Sequence, residues 1–136
     1  MNLMKSILLS SSGMQAQGER MKIIAENLAN ANSTAQTPGG DPYRRKVVTF
    51  KNELDRSLGI ERLEVGKVST DKSDFQLRYD PGHPGADANG YVKMPNVNAL
   101  IEMSDLREAQ RSYEANLSAI DAAKEMLSRT VDLLRA

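Results

Sequence analysis

The sequence predicts an α+β fold, with long N- and C-terminal helices pairing as a coiled coil and a small antiparallel β unit and loops between them. Three observations predict it. From Met103 to Leu134 the core positions alternate three and four apart without a break. A weaker pattern of the same period runs from Met4 to Leu28. Between the two, the chain turns to short β-branched and aromatic stretches separated by proline and glycine.

The first helix is expected over residues 3–31. One row of its seam is Ile7, Met14, Met21 and Leu28, and the other is Met4, Ser11, Gly18 and Ala25. Small side chains in the second row allow close approach of a partner helix. Gly13 and Gly18 each cost about 1 kcal/mol relative to alanine, so the helix is intrinsically weak and gains from burial against partners. Asn30-Ala31-Asn32-Ser33-Thr34 ends it, because asparagine tolerates left-handed geometry and closes helix ends. Pro38-Gly39-Gly40-Asp41-Pro42 then forbids regular structure.

Residues 43–79 read as three or four short strands. Tyr43 to Phe50 is strand-like in content, and Glu61 to Val68 and Phe75 to Tyr79 alternate polar and apolar. Residues 51–58 fit either a strand or a helical turn. Residues 80–98 read as a long loop, rich in proline and glycine, with Asn96 or Asn98 as the N-cap of the last helix.

That helix is expected from Asn98 to Leu134, a length on the order of 50 Å. One row is Leu106, Tyr113, Ile120, Leu127 and Leu134; the other is Met103, Gln110, Leu117, Lys124 and Val131. Polar Gln110 and Lys124 interrupt the seam, as residues that set register and partner choice do. The organisation is therefore 1–34, 35–97 and 98–136, acting as a single assembly domain.

Composition narrows the function. The chain of 136 residues carries 18 basic and 18 acidic residues. The ends and the middle are each nearly balanced, so no segment offers the basic footprint of a nucleic-acid binder. There is no cysteine, hence no disulfide and no thiolate metal site. No apolar run approaches the roughly 20 residues of a membrane span. Ile7-Leu8-Leu9 is too short for a secretory h-region of about 7–15 residues, so no cleavable signal is read.

Enzymatic chemistry finds no footing. His83 is the single histidine, in a proline-glycine loop with Asp80 and Asp87 as its nearest acidic neighbours in sequence. One imidazole and two flexible carboxylates make a poor metal site. No nucleophile-elbow motif surrounds a serine, and Pro38-Gly39-Gly40 lacks the lysine and spacing of a phosphate loop. Arg44-Arg45-Lys46 fits a solvated strand edge that blocks unwanted pairing. No catalytic, metal or cofactor site is expected.

Two stretches resemble a known family. Met14 to Gln17 through Ile24-Ala25-Glu26-Asn27-Leu28-Ala29-Asn30-Ala31-Asn32-Ser33 is similar to the N-terminal signature of bacterial flagellar rod and hook proteins. Glu102-Met103 followed by Glu108-Ala109-Gln110-Arg111-Ser112-Tyr113-Glu114-Ala115-Asn116 is similar to the matching C-terminal signature. Asp87 to Val97, Thr37 to Arg44 and the short chain resemble the proximal-rod type within that family. One departure is visible: Ser33 to Thr37 stand where many members pass directly to threonine-proline-glycine-tyrosine.

The resemblance implies a structural subunit of the flagellar basal body. It would polymerise through its terminal helices into the axial shaft that crosses the periplasm and transmits motor torque. It implies export without a cleaved signal through the flagellar type III apparatus. The implied partners are further copies, other rod subunits, a rod-base adaptor and the export apparatus, with no nucleic acid and no direct membrane insertion. The expected assembly interface comprises Ile7, Met14, Met21, Leu28, Asn30 and Asn32 at one end of the chain. At the other it comprises Met103, Leu106, Gln110, Tyr113, Leu117, Ile120, Leu127, Val131 and Leu134. The residues alone leave open a soluble coiled-coil adaptor or regulatory dimer, a small enzyme of another type, and a different rod subunit.

Overall fold

A computed structural model describes residues 2–136. The elements are α1 (Leu3–Ala29), β1 (Lys46–Asp55), β2 (Ile60–Thr70), β3 (Gln76–Tyr79), β4 (Tyr91–Met94) and α2 (Ala99–Arg135). The architecture is α+β, with the two long helices at the ends of the chain and antiparallel strands between them.

Both helices start on an asparagine cap. The Asn2 Oδ1 accepts the Met4 N–H at 3.0 Å. The Asn98 Oδ1 accepts the N–H groups of Leu100 and Ile101, at 3.1 and 3.4 Å. Each bond satisfies an otherwise orphaned first-turn donor. α1 closes two residues earlier than its periodicity suggests. Its end is made by the Asn30 side chain, whose Nδ2 donates to the Glu26 carbonyl at 2.8 Å. Left-handed geometry has no part in it, since the positive-φ residues among those described are all glycines.

The strands form two separate two-stranded ladders, β1–β2 and β3–β4. The first is a hairpin longer than its periodicity suggests. Residues 51–55 continue β1 and do not form a helical turn. The turn is closed by Asp55, whose Oδ1 accepts the N–H groups of Ser57 and Leu58 and whose carbonyl accepts that of Gly59. Gly59 sits at φ +63°, which favours a residue without a Cβ. Tyr43 to Arg45 are not strand; side chains take up this stretch, as described below.

β4 was expected as loop. It pairs antiparallel with β3 in the register Gln76↔Met94, Leu77↔Lys93, Arg78↔Val92 and Tyr79↔Tyr91. Only four residues long, it lies between Gly90 and Pro95, and punctuation of that kind conceals a short strand. Its connection is set by the Asp87 carboxylate, which accepts the N–H groups of Asn89 and Tyr91, both at 2.9 Å.

The chain divides into two compact units. One joins residues through Met21 with Thr49–Lys67 and Arg107–Ala136; the other joins Lys22–Val48 with Val68–Leu106. Each unit thus combines parts of both helices with part of the 35–97 segment. In the first, the helices run antiparallel, with Gly13 facing Asn116 and Arg20 3.6 Å from Glu108. In the second, the buried side chains include Ile23, Ile24 and Val92 together with the polar Asn27 and Glu102.

Candidate assembly interface

The second unit brings the two signature stretches into contact. Asn27 is 1 % exposed and Glu102 0 %. Side chains of that polarity are buried only when satisfied, and both are. The Asn27 Oδ1 accepts the Lys46 N–H at 2.9 Å and the Tyr43 hydroxyl at 2.8 Å. Its Nδ2 donates to the Lys46 carbonyl at 2.9 Å and to the Glu102 Oε2 at 3.4 Å. One amide therefore replaces a strand neighbour for Lys46 and anchors the start of β1 on α1.

Glu102 is held from its other side by the Arg45 Nε. The same guanidinium reaches Asp71 at 3.4 Å and Asp105 at 3.8 Å. Burial pulls the Arg45 guanidinium down, but the hydrogen bond and charge of Glu102, followed by those of Asp71, more than offset this and leave it raised. Burial also raises the Tyr43 hydroxyl. The backbone amide and then the hydroxyl of Ser73 hold the Asp71 carboxyl below its ordinary value, with Arg45 adding to the effect against some desolvation. Asn96 completes the cluster: its Oδ1 accepts the Arg45 N–H at 2.8 Å, and its Nδ2 donates to the Asp71 carbonyl at 3.0 Å.

Along α2 the buried row lies one residue before the expected second row. On α2 the row Leu106, Tyr113, Ile120 and Leu127 is half-buried as the heptad requires. The row beside it is Glu102, Ala109, Asn116 and Ala123, in which Ala109 and Ala123 are fully buried. Met103, Leu117 and Val131 stand 47, 42 and 47 % exposed, and Leu134 82 %. Gln110 is also exposed. On α1, Ile7, Met14, Met21, Leu28 and Asn30 are half-buried, and Asn32 is exposed. Gly13, Ala16, Gln17, Ile23, Ile24 and Asn27 take the buried positions. The close approach expected at Gly18 is found instead at Gly13. A Cβ there would lie 2.7 Å from the Asn116 Nδ2, whereas Gly18 has nothing within 4 Å.

Asn27, Arg45 and Glu102 escaped the heptad reading, which scores apolar periodicity and passes over polar core positions. The available signal was their place inside the quoted signature stretches and the basic triplet.

Two clefts, of about 420 and about 300 Å³, open in the separate units. Neither lining contains a histidine. No group of three metal-ligating side chains occurs among the described residues. No helix among them is long and apolar enough to cross a membrane. The geometry holds chain segments together and leaves an apolar stripe on α2 facing solvent.

The two long terminal helices carry the stretches that resemble bacterial flagellar rod and hook proteins, and a small β insert lies between them in the chain. Comparison with known proteins agrees. The family described as flagella basal body rod protein matches residues 7–35. The flagellar basal body rod FlgEFG protein C-terminal family matches residues 88–133. The flagellar basal-body rod protein FlgC of Agrobacterium fabrum is 56 % identical over 128 residues, covering 94 % of this chain and 92 % of its own. Those of Salmonella typhimurium and Borreliella burgdorferi are 39 and 37 % identical, covering 98 and 99 % of each chain. The chain belongs to the FlgC family of flagellar basal-body rod proteins. It is a structural component of the basal body and assembles with other rod components.

Proposed function

We propose that this chain polymerises through its terminal helices into the proximal rod, and that the shaft so built transmits motor torque across the periplasm without any catalytic step. The observation that carries the reading is the exposed stripe Met103, Leu117, Val131 and Leu134 on α2. Each apolar side chain buried on assembly contributes roughly 1.5–3 kcal/mol. A head-to-tail interface that does not close on itself generates an open helical tube. The 1–34 and 98–136 segments are the assembling parts, and the 35–97 segment sets contacts to neighbours. The partners are further copies, other rod subunits, a rod-base adaptor and the export apparatus.

The test uses two kinds of substitution. Leu117→Asp and Val131→Asp change exposed positions and leave the helicity of the isolated chain unchanged. They remove it from purified basal bodies and abolish swimming. Ile120→Asp, at a half-buried position on the helix seam, lowers helicity as well as assembly. Normal swimming by Leu117→Asp would overturn the proposal. A stable, discrete dimer that never enters basal bodies would favour a soluble coiled-coil adaptor.

A further inference from the structure

We propose that His83 is a proton-sensitive latch between the loop that follows α1 and the loop that precedes β4. It is the only histidine of the chain, and both of its ring nitrogens are engaged. The Nδ1 accepts the Gly85 N–H at 2.9 Å. The Nε2 lies 3.0 Å from the Thr34 Oγ1. A backbone amide can only donate, so Nδ1 carries no proton in this arrangement. The neutral ring therefore holds its hydrogen on Nε2 and donates it to Thr34.

The two loops touch where this ring joins them. A Cβ at Gly85 would lie 2.2 Å from the Ala35 carbonyl oxygen, so only a glycine permits that approach. Ala35 and Gly85 both line a cleft of about 220 Å³. On the far side of Thr34, the Ser33 carbonyl accepts the Tyr43 N–H at 2.9 Å. The latch thus holds the asparagine-rich end of α1 against the loop that feeds β4.

Protonation of Nδ1 turns its acceptor into a donor facing the Gly85 donor. Closure therefore needs Nδ1 without a proton and is weakened once the ring takes up a second one. The charged groups on the two loops are Asp41, Arg44, Arg45, Asp80 and Asp87; Arg44 donates to the Asp71 and Ser73 carbonyls, and Arg45 is paired with Glu102. Asp41 is 3.5 Å from Lys93, and Asp80 is 3.8 Å from Arg78. The Asp87 carboxylate is taken by the N–H groups of Asn89 and Tyr91. The response is local, because Asp80 N–H to Gly90 carbonyl and Asp87 N–H to Tyr91 carbonyl bonds, both 2.9 Å, hold the base of the loop without the ring.

The experiment is nitrogen-15 NMR of the full-length chain, where a single histidine gives one pair of ring signals. At about pH 7.5 the ring is expected with its proton on Nε2. Lowering the pH to about 5.5 is expected to raise amide exchange at Gly85, corrected for the intrinsic rate, by about fivefold or more, the effect of losing one hydrogen bond. The Val92 amide, paired in the β3–β4 ladder, is expected to hold its corrected rate. In His83→Gln the corrected Gly85 rate no longer changes between the two pH values. A neutral ring protonated on Nδ1 would overturn the latch. So would a corrected Gly85 rate independent of pH in the unaltered chain, or an undiminished pH response in His83→Gln. None of these readouts depends on assembly.

Discussion

Glu102 and Asn27 occupy positions usually reserved for leucine, and their burial is tolerable because each polar atom is spoken for. Removing one partner of a buried ion pair leaves the other charge desolvated and typically costs about 3–5 kcal/mol. Glu102→Ala is accordingly expected to lower the unfolding free energy by about that amount, measured by urea denaturation. Glu108→Ala serves as its control. Glu108 pairs with Arg20 at 3.6 Å but is 69 % exposed, and such pairs contribute about 0–1 kcal/mol. Equal losses in the two variants would contradict the role assigned to the Asn27–Arg45–Glu102 cluster. The glycines of α1 separate in the same way. Gly18→Ala meets open space and gains helix propensity, so it is expected to stabilise by about 0.5–1 kcal/mol. Gly13→Val drives a branched side chain into Asn116 and is expected to cost about 1–3 kcal/mol.

At the scale of elements, the carboxyls held below their ordinary values carry the acid sensitivity: Glu53, by Lys51 first, and the two aspartates Asp55 and Asp71. Asp55 closes the β1–β2 hairpin, and the hydroxyl of Ser57 leads the groups that hold its carboxyl below the ordinary value. Asp71 follows β2 and is held down first by Ser73. A carboxyl depressed in the folded chain contributes stability above its unfolded pKa of about 3.9 and loses it as the pH falls through the lower, folded value. Urea midpoints are therefore expected to drop below about pH 4. Asp71→Asn is expected to be less stable at neutral pH and to show a shallower acid loss. An unchanged pH profile in Asp71→Asn would place the sensitivity elsewhere. At this same scale β4 was hidden in the sequence. Four residues between a glycine and a proline cannot display a period, and the strand exists because β3 supplies its ladder.

Over the whole molecule, the 37 residues of α2 exceed the 27 of α1, and the surplus carries apolar side chains. Val131, Leu133 and Leu134 stand open to solvent. A helix that only completed its own fold would gain nothing from them. The contrast between Leu117 and Ile120 belongs to this scale as well. Three residues apart on one heptad, Ile120 is half-buried and Leu117 is exposed. Apolar period alone cannot separate these two environments, because both positions obey the same heptad.

What the amino-acid sequence by itself determined was the α+β class, the two helices to within a few residues, an asparagine cap at Asn96 or Asn98, and the family resemblance. These are local properties: periodicity, capping chemistry and signature residues act over a turn or two of chain. Tertiary structure alone decided which heptad row of α2 faces inward, which glycine of α1 admits the other helix, and that Asn27, Arg45 and Glu102 form one buried cluster. Those outcomes depend on groups far apart in the chain, as in the bond from Asn27 to Glu102, 75 positions away, and the approach of Gly13 to Asn116, more distant still. A buried polar side chain is stable only where its partners arrive from elsewhere in the chain. The reading of each residue along the sequence holds no record of that arrival.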